Sequence, residues 1–262
     1  MERFFAPESA IWSVDREMTL LLGGGRALLM QIAHPKIAAG VADHSRFATD
    51  PLGRLKQTME TMWSIVFDDL PRAQASLERL GRVHERVQGH IANGTAYSAR
   101  DPELLLWVHA TLVDSALVTY DRFVRPLSLE LRRRYYDDSK KLGVLMGVPE
   151  TTLPAALEDF ERYMTTTIES EAISVGAPAR TLARAILYPR PWFLQTVVPI
   201  NVLITAGLLP PKLRRAYGLR WSGRRESVLR LVAGSTRAAL PLVPRMIRVV
   251  PHARAAERLM GG

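Results

Sequence analysis

With 262 residues, 47% of them hydrophobic and 23% charged, the chain can form one large domain or two small ones and is too apolar to be disordered throughout. It contains no cysteine, which excludes disulfides, thiolate-held zinc or iron–sulfur centres and a cysteine nucleophile. The net charge of +9 is concentrated at one end: residues 190–262 carry 13 basic and 2 acidic residues, leaving 22 basic against 24 acidic before them.

Met1 to Ser13 carries Glu2 and Glu8 and has no basic start followed by an apolar run, so a secretory signal is not expected and a cytoplasmic location is. The next stretch, "MTLLLGGGRALLMQIAHP", reads like a strand, a glycine turn and a helix, with Asp43 at about the spacing of a ribose-binding carboxylate. "GGGRALLM" meets neither the dinucleotide fingerprint nor the P-loop, and no strand–helix alternation follows. The glycines are therefore expected to break one helix and let the next pack closely.

From there the pattern is helical. "TDPLGRLKQTMETMWSIVF" opens with Asp50 as N-cap and Pro51 at the first helical position, and "RDPELLLWVHATLVDSALVTYDRFV" repeats the device with Asp101 and Pro102. Between them "LPRAQASLERLGRVHERVQGHI" predicts a helix that ends before the turn "ANGTAYSARD". "LSLELRRRYYDDSKKLGVLMG" starts near Ser128 and stops at Gly147, and "PETTLPAALEDFERYMTTTIES" covers the following stretch. The uncharged run Pro191 to Pro211 is barely long enough to cross a bilayer and is interrupted by Gln195, Pro199 and Asn201. A core helix, or one lying in a membrane interface, fits it better. Linkers are short and no repeats occur. The expectation is an all-α protein, a single compact helical domain over residues 1–262 with a basic C-terminal region from 212 to 262.

Several chemistries lack their motifs. No histidine follows a glutamate at the spacing of di-iron bundles, and neither His-Glu-x-x-His nor Gly-x-Ser-x-Gly occurs. His84 and His90, six apart on the expected helix, would point away from each other. Asp68–Asp69 and Asp137–Asp138 read as capping and solvation rather than as acid–base pairs.

His109 stands out. It lies about two turns into its helix, and Leu105, Leu106, Leu112 and Val113 share its face. An imidazole buried there needs something to satisfy its nitrogens. It is either an ordinary core histidine bonded to a backbone carbonyl or an axial metal ligand, as haem requires. On the helix after Asp50, Arg54 and Thr58 are four apart and share a face flanked by Leu55, Met59, Met62 and Val66. The pair is either surface polarity near the first turn or a set of donors for dioxygen, a peroxide or a propionate.

"GGGRALLMQIAHP", "GVADHSRF", "DPLGRLKQT" and "DPELLLWVHATLVDS", in that order over roughly residues 10–170, resemble the rubber oxygenase (latex-clearing protein) and mycophenolic-acid oxygenase superfamily, in its short bacterial branch. The resemblance implies an all-α fold with an internal haem pocket, haem b as cofactor, and oxidative cleavage of carbon–carbon bonds with dioxygen. It maps the proximal, iron-binding histidine to His109, followed by the small Ala110, and the distal arginine and threonine to Arg54 and Thr58. Where the rubber-cleaving members carry a lysine before that threonine, this chain has Gln57. Their distal glutamate has no clear counterpart upstream of Arg54, where His34, Asp43 and His44 stand instead; His44 is placed in a distal polar role, with a loop-capping role as its alternative.

The leading expectation is a haem b-dependent oxygenase or peroxygenase-like oxidoreductase acting on a hydrophobic, lipid or isoprenoid-like substrate. Iron would be held by His109, and Arg54, Thr58 and His44 would serve the chemistry. The alternative is a non-catalytic haem- or lipid-binding protein attached to the membrane surface through its basic C-terminal region, including Arg214, Arg215, Arg224 and Arg225. Nucleic acid ranks below both, because only Tyr217 and Trp221 lie among those arginines to form a stacking platform.

Overall fold

The computed structural model describes residues 2–44, 51–189 and 195–260, without the side chains of residues 51, 52, 54 and 55. Its helices are α1 (Ala10–Asp15), α2 (Gly24–Ile32), α3 (Pro35–His44), α4 (Pro51–Phe67), α5 (Leu70–Arg86), α6 (Pro102–Phe123) and α7 (Leu129–Leu145). There follow α8 (Leu157–Glu169), α9 (Ala177–Leu187), α10 (Val198–Leu208), α11 (Pro211–Ala216), α12 (Gly223–Ala239), α13 (Arg245–Arg248) and α14 (Pro251–Met260). The all-α expectation holds. Strand structure among the described residues is a short antiparallel hairpin of β1 (Gln88–His90) and β2 (Ala96–Ser98), apart from one isolated bridge between Glu17 and Val249.

Helix starts follow local hydrogen-bond chemistry. Asp101 accepts from the Glu103 amide at 3.0 Å, and Ser128 caps α7 by accepting from the Leu131 amide. Asp69 caps α5 with Pro71 in the first turn, and Asp138 reaches from α7 to accept the Ile11 amide of α1 at 3.0 Å. These carboxylates cap, as their sequence positions suggested. The Asp50 cap lies outside the described residues.

The hairpin corrects one expected helix. α5 ends at Arg86, so His90 sits on β1 and not on a helix with His84. Asn93–Gly94 makes the turn, with Gly94 at φ 83°, and three-residue strands are too short to show an alternating pattern.

α6, about 33 Å long at 1.5 Å per residue, is central: α1, α2, α7, α12 and the 3-10 helix Met18–Gly23 all pack on it. The glycine run makes this possible. A Cβ on Gly23 would fall 2.2 Å from Thr119 Oγ1 of α6, and one on Gly25 would fall 2.3 Å from Thr205 Oγ1 of α10. Arg26, only 4% exposed, fastens the same three elements. It donates to Asp114 Oδ2 at 2.6 Å, Ser115 Oγ at 2.8 Å and the Leu208 carbonyl at 2.8 Å. The main hydrophobic core draws on residues from Phe5 to Ala256, and a smaller cluster joins Phe123 of α6 to Ile204 and Leu208 of α10 and Leu229 and Ala233 of α12. α10 buries Ile204, Ala206 and Leu208, residues 191–194 of the uncharged run lie outside the described residues, and no described helix is long and apolar enough to cross a membrane.

Candidate functional site

The Asp101 cap fixes the start of α6 and, through helical phase, the direction of His109 two turns later. Its side chain is 3% exposed. Neither ring nitrogen has a hydrogen-bond partner, and His109 is the one described side chain with two buried polar atoms in that state. Burial pushes the imidazole down to about 4; the Ser139 carbonyl works the other way, but reaches hydrogen-bond geometry with neither nitrogen. The ring is therefore neutral near pH 7 and keeps an uncommitted lone pair. Buried polar groups are nearly always paired, so this one needs an explanation.

The ring packs closely against α7. On the α7 side it faces Gly143, where a Cβ would stand 2.9 Å from Nε2 and 3.1 Å from Cδ2. His109 also borders two hollows, together with Met62 and Leu112. The smaller, about 110 Å³, is lined by α1, α2, α4, α6, α7 and the 3-10 helix, with Met59, Met62 and Trp63 along α4. The larger is a cleft of about 1000 Å³ between α3, α4, α5 and α6, at the upper end of the range for small-molecule sites.

The residues singled out in the sequence distribute as follows. Thr58 and Gln57 line the large cleft, as do Leu105 and His44. His44 is exposed, with Nε2 2.9 Å from the Gln88 carbonyl and its ring edge-on to Tyr97. The cleft wall and the loop anchor are thus the same residue. The side chain of Arg54 lies outside the described residues; its backbone is in α4, one turn before Thr58. His34 accepts the Lys36 amide at the start of α3 and borders neither hollow, while Asp43 accepts from the Tyr97 hydroxyl at 2.6 Å. Both tie the chain together.

Three polar residues of the small cavity give no sequence signal. Tyr135 donates to Asp15 Oδ1 at 2.9 Å, and Glu17 holds Arg248 in a two-pronged pair, with Nη2 to Oε1 at 2.8 Å and Nε to Oε2 at 2.9 Å. Protein encloses the Asp15 carboxyl, and this desolvation, aided by Asp138 and opposed by the Tyr135 hydrogen bond, pushes it up to about 7. A largely apolar cavity beside a partnerless imidazole thus contains a carboxyl that can carry a proton near neutrality.

Among the described residues no three His, Cys, Asp or Glu side chains converge as a metal-binding group. A macrocycle-held iron asks less: one neutral imidazole in an apolar wall with open volume beside it. The orphaned nitrogens of His109 and the adjoining cleft fit that requirement.

Two uncharacterized proteins, one from Mycobacterium bovis and one from Mycobacterium tuberculosis, are each 27% identical over 225 residues, covering 83% of this chain and 87% of theirs. No solved structure matches. The family described as "ER-bound oxygenase mpaB/B'/Rubber oxygenase, catalytic domain" matches residues 12–238, which takes in every residue lining the small cavity and all those lining the large cleft but His252. The chain belongs to that oxygenase family.

Proposed function

We propose that the chain is a haem b-dependent oxygenase or peroxygenase-like oxidoreductase for a hydrophobic, lipid or isoprenoid-like substrate. The observation that carries this is the pair of partnerless nitrogens on His109, buried and neutral beside open volume. Leaving such a group unsatisfied costs about 1–3 kcal/mol, a cost that ligation would offset. Haem b, when bound, would supply the iron that activates dioxygen or a peroxide.

The chain's own residues have separable roles. His109 offers its lone pair, and Gly143, having no Cβ, lets the ring pack against α7. Thr58 lines the cleft, and Arg54, one turn earlier on α4, would supply guanidinium donors for the oxidant or for a propionate. His44 holds the cleft wall through the Gln88 carbonyl. Met62, Leu105 and Leu112 form an apolar patch of the cleft beside His109, which favours a hydrocarbon substrate there. Asp15 holds or releases a proton within the smaller cavity.

Purification from haem-supplied cells, followed by haem quantitation and oxygen-electrode measurements with unsaturated lipids, tests the reading. Stoichiometric haem and lipid-dependent oxygen uptake are expected. Haem-free protein from such cells would overturn it. Haem without turnover of any alkene or peroxide would leave a haem carrier instead.

A further inference from the structure

α12 is apolar on two opposite faces. At 100° per residue, Leu229, Ala233 and Leu240 point inward and are buried. Val228, Leu231 and Ala238 point the opposite way, in one stripe with Arg224. Val228 is 48% exposed and Leu231 69%; in the segment that follows, Leu242 is 85%, Met246 68% and Ile247 62% exposed. Large aliphatic side chains so exposed and so closely spaced mark an interaction site rather than ordinary surface.

The charges beside the stripe show what it meets. Arg225 flanks it on one side, Arg230 and Arg237 on the other. Arg224 and Arg237 form no ion pair among the described residues, and Arg230 reaches Glu226 only at 3.9 Å. The two acidic residues after position 190 are engaged by other arginines: Glu226 by Arg122, and Glu257 by Arg16 and Arg245. The surface is left strongly positive around an aliphatic ridge.

We propose that the exposed aliphatic side chains Val228 and Leu231 of α12 and Leu242, Met246 and Ile247 of the segment after it, with Arg224, Arg225, Arg230 and Arg237, dock on an anionic lipid bilayer as an interfacial footprint. The aliphatic side chains enter the acyl boundary while the arginines stay at the phosphate level. A second copy of the chain would bring the same positive charge against it, and a nucleic acid would have no use for the exposed leucines. The mode is peripheral, since no described helix can cross the membrane. The inference is independent of haem binding.

Sedimentation of the purified full chain with vesicles tests it, using phosphatidylcholine alone and phosphatidylcholine with about one-third phosphatidylserine. Binding is expected to the anionic vesicles at low salt, and to weaken strongly in 0.5 M salt. Each Arg→Gln change at 224, 230 or 237 should weaken it roughly fivefold. Leu231→Ser with Leu242→Ser and Ile247→Ser should weaken it at least about tenfold, with helicity and melting temperature held, because these positions are exposed. Equal affinity for both vesicle types, no sedimentation with either, or undiminished binding by the triple serine variant would overturn the proposal. So would a wild-type dimer that the serine variant converts to monomer, which would assign the ridge to self-association.

Discussion

Replacing Gly143 by alanine probes the His109 environment without touching the histidine. The new Cβ would lie 2.9 Å from Nε2, 3.1 Å from Cδ2 and 3.4 Å from Cε1 of the ring. The ring is pinned between α6 and α7, so the contact cannot be relieved by swinging a flexible tip aside. Overpacking of this kind costs about 1–3 kcal/mol. Against it stands the helix-propensity gain of glycine to alanine, about 1 kcal/mol. Gly143→Ala should therefore be destabilising by about 0–2 kcal/mol, the sum of those two effects. Gly234→Ala is the control: it lies inside α12 with nothing within 4 Å of its Cβ, and keeps only the gain. The two variants should melt on opposite sides of wild type, at roughly 2–4 °C per kcal/mol for a domain of this size. Thermal melts followed by circular dichroism, together with haem content per chain, read the outcome. Gly143→Ala should also lower haem content, while Gly234→Ala leaves it unchanged. If both substitutions stabilise equally and haem content is unaltered, the ring is not held against α7 and the geometry given for the site is wrong.

Other consequences follow from the polar groups. Asp15 has an ordinary carboxyl pKa of 3.8 when unfolded and about 7 when folded, so the native state keeps a proton the unfolded chain has released. Its stabilising contribution is complete below the lower value and is lost as pH rises through the upper one. Asp15→Asn should match wild type in denaturant midpoint near pH 4 and exceed it at pH 8, by on the order of 2 kcal/mol; parallel profiles would contradict this. Asp114→Asn strands the buried Arg26 guanidinium and should cost about 3 kcal/mol in urea unfolding, the Ser115 and Leu208 bonds being kept; a change within error would mean that Asp114 contributes little. Asp101→Ala removes the α6 cap and should cost about 1 kcal/mol, which the same unfolding curves would detect.

What could be read from the sequence was what local chemistry determines. Asp101 was legible as a cap and Ser128 as a helix start because a cap is a bond between residues two or three apart. His109 was legible because helical phase alone fixes which neighbours share its face. The close packing at Gly23 and Gly25 was expected in kind, though their partners, Thr119 and Thr205, could only be found in three dimensions. The hairpin at Gln88–Ser98 was missed because its strands are shorter than any periodicity that could announce them. The Asp15–Tyr135 pair joins residues 120 apart in the chain, and Gly143 meets His109 only because α7 folds back along α6. No spacing rule connects either pair. The exposed ridge on α12 was hidden for another reason: a second apolar face looks in sequence like more core, until burial shows which side is covered.

Ligation by His109 is tested most directly by the absorption spectrum of a His109→Gly variant, purified from haem-supplied cells and titrated with imidazole. The wild type should show a Soret band of a histidine-ligated haem, the variant should lose it or shift it, and added imidazole should restore it by occupying the vacated space. A His109→Gly protein whose Soret band is identical to wild type and indifferent to imidazole would contradict the assignment of His109 as the iron ligand.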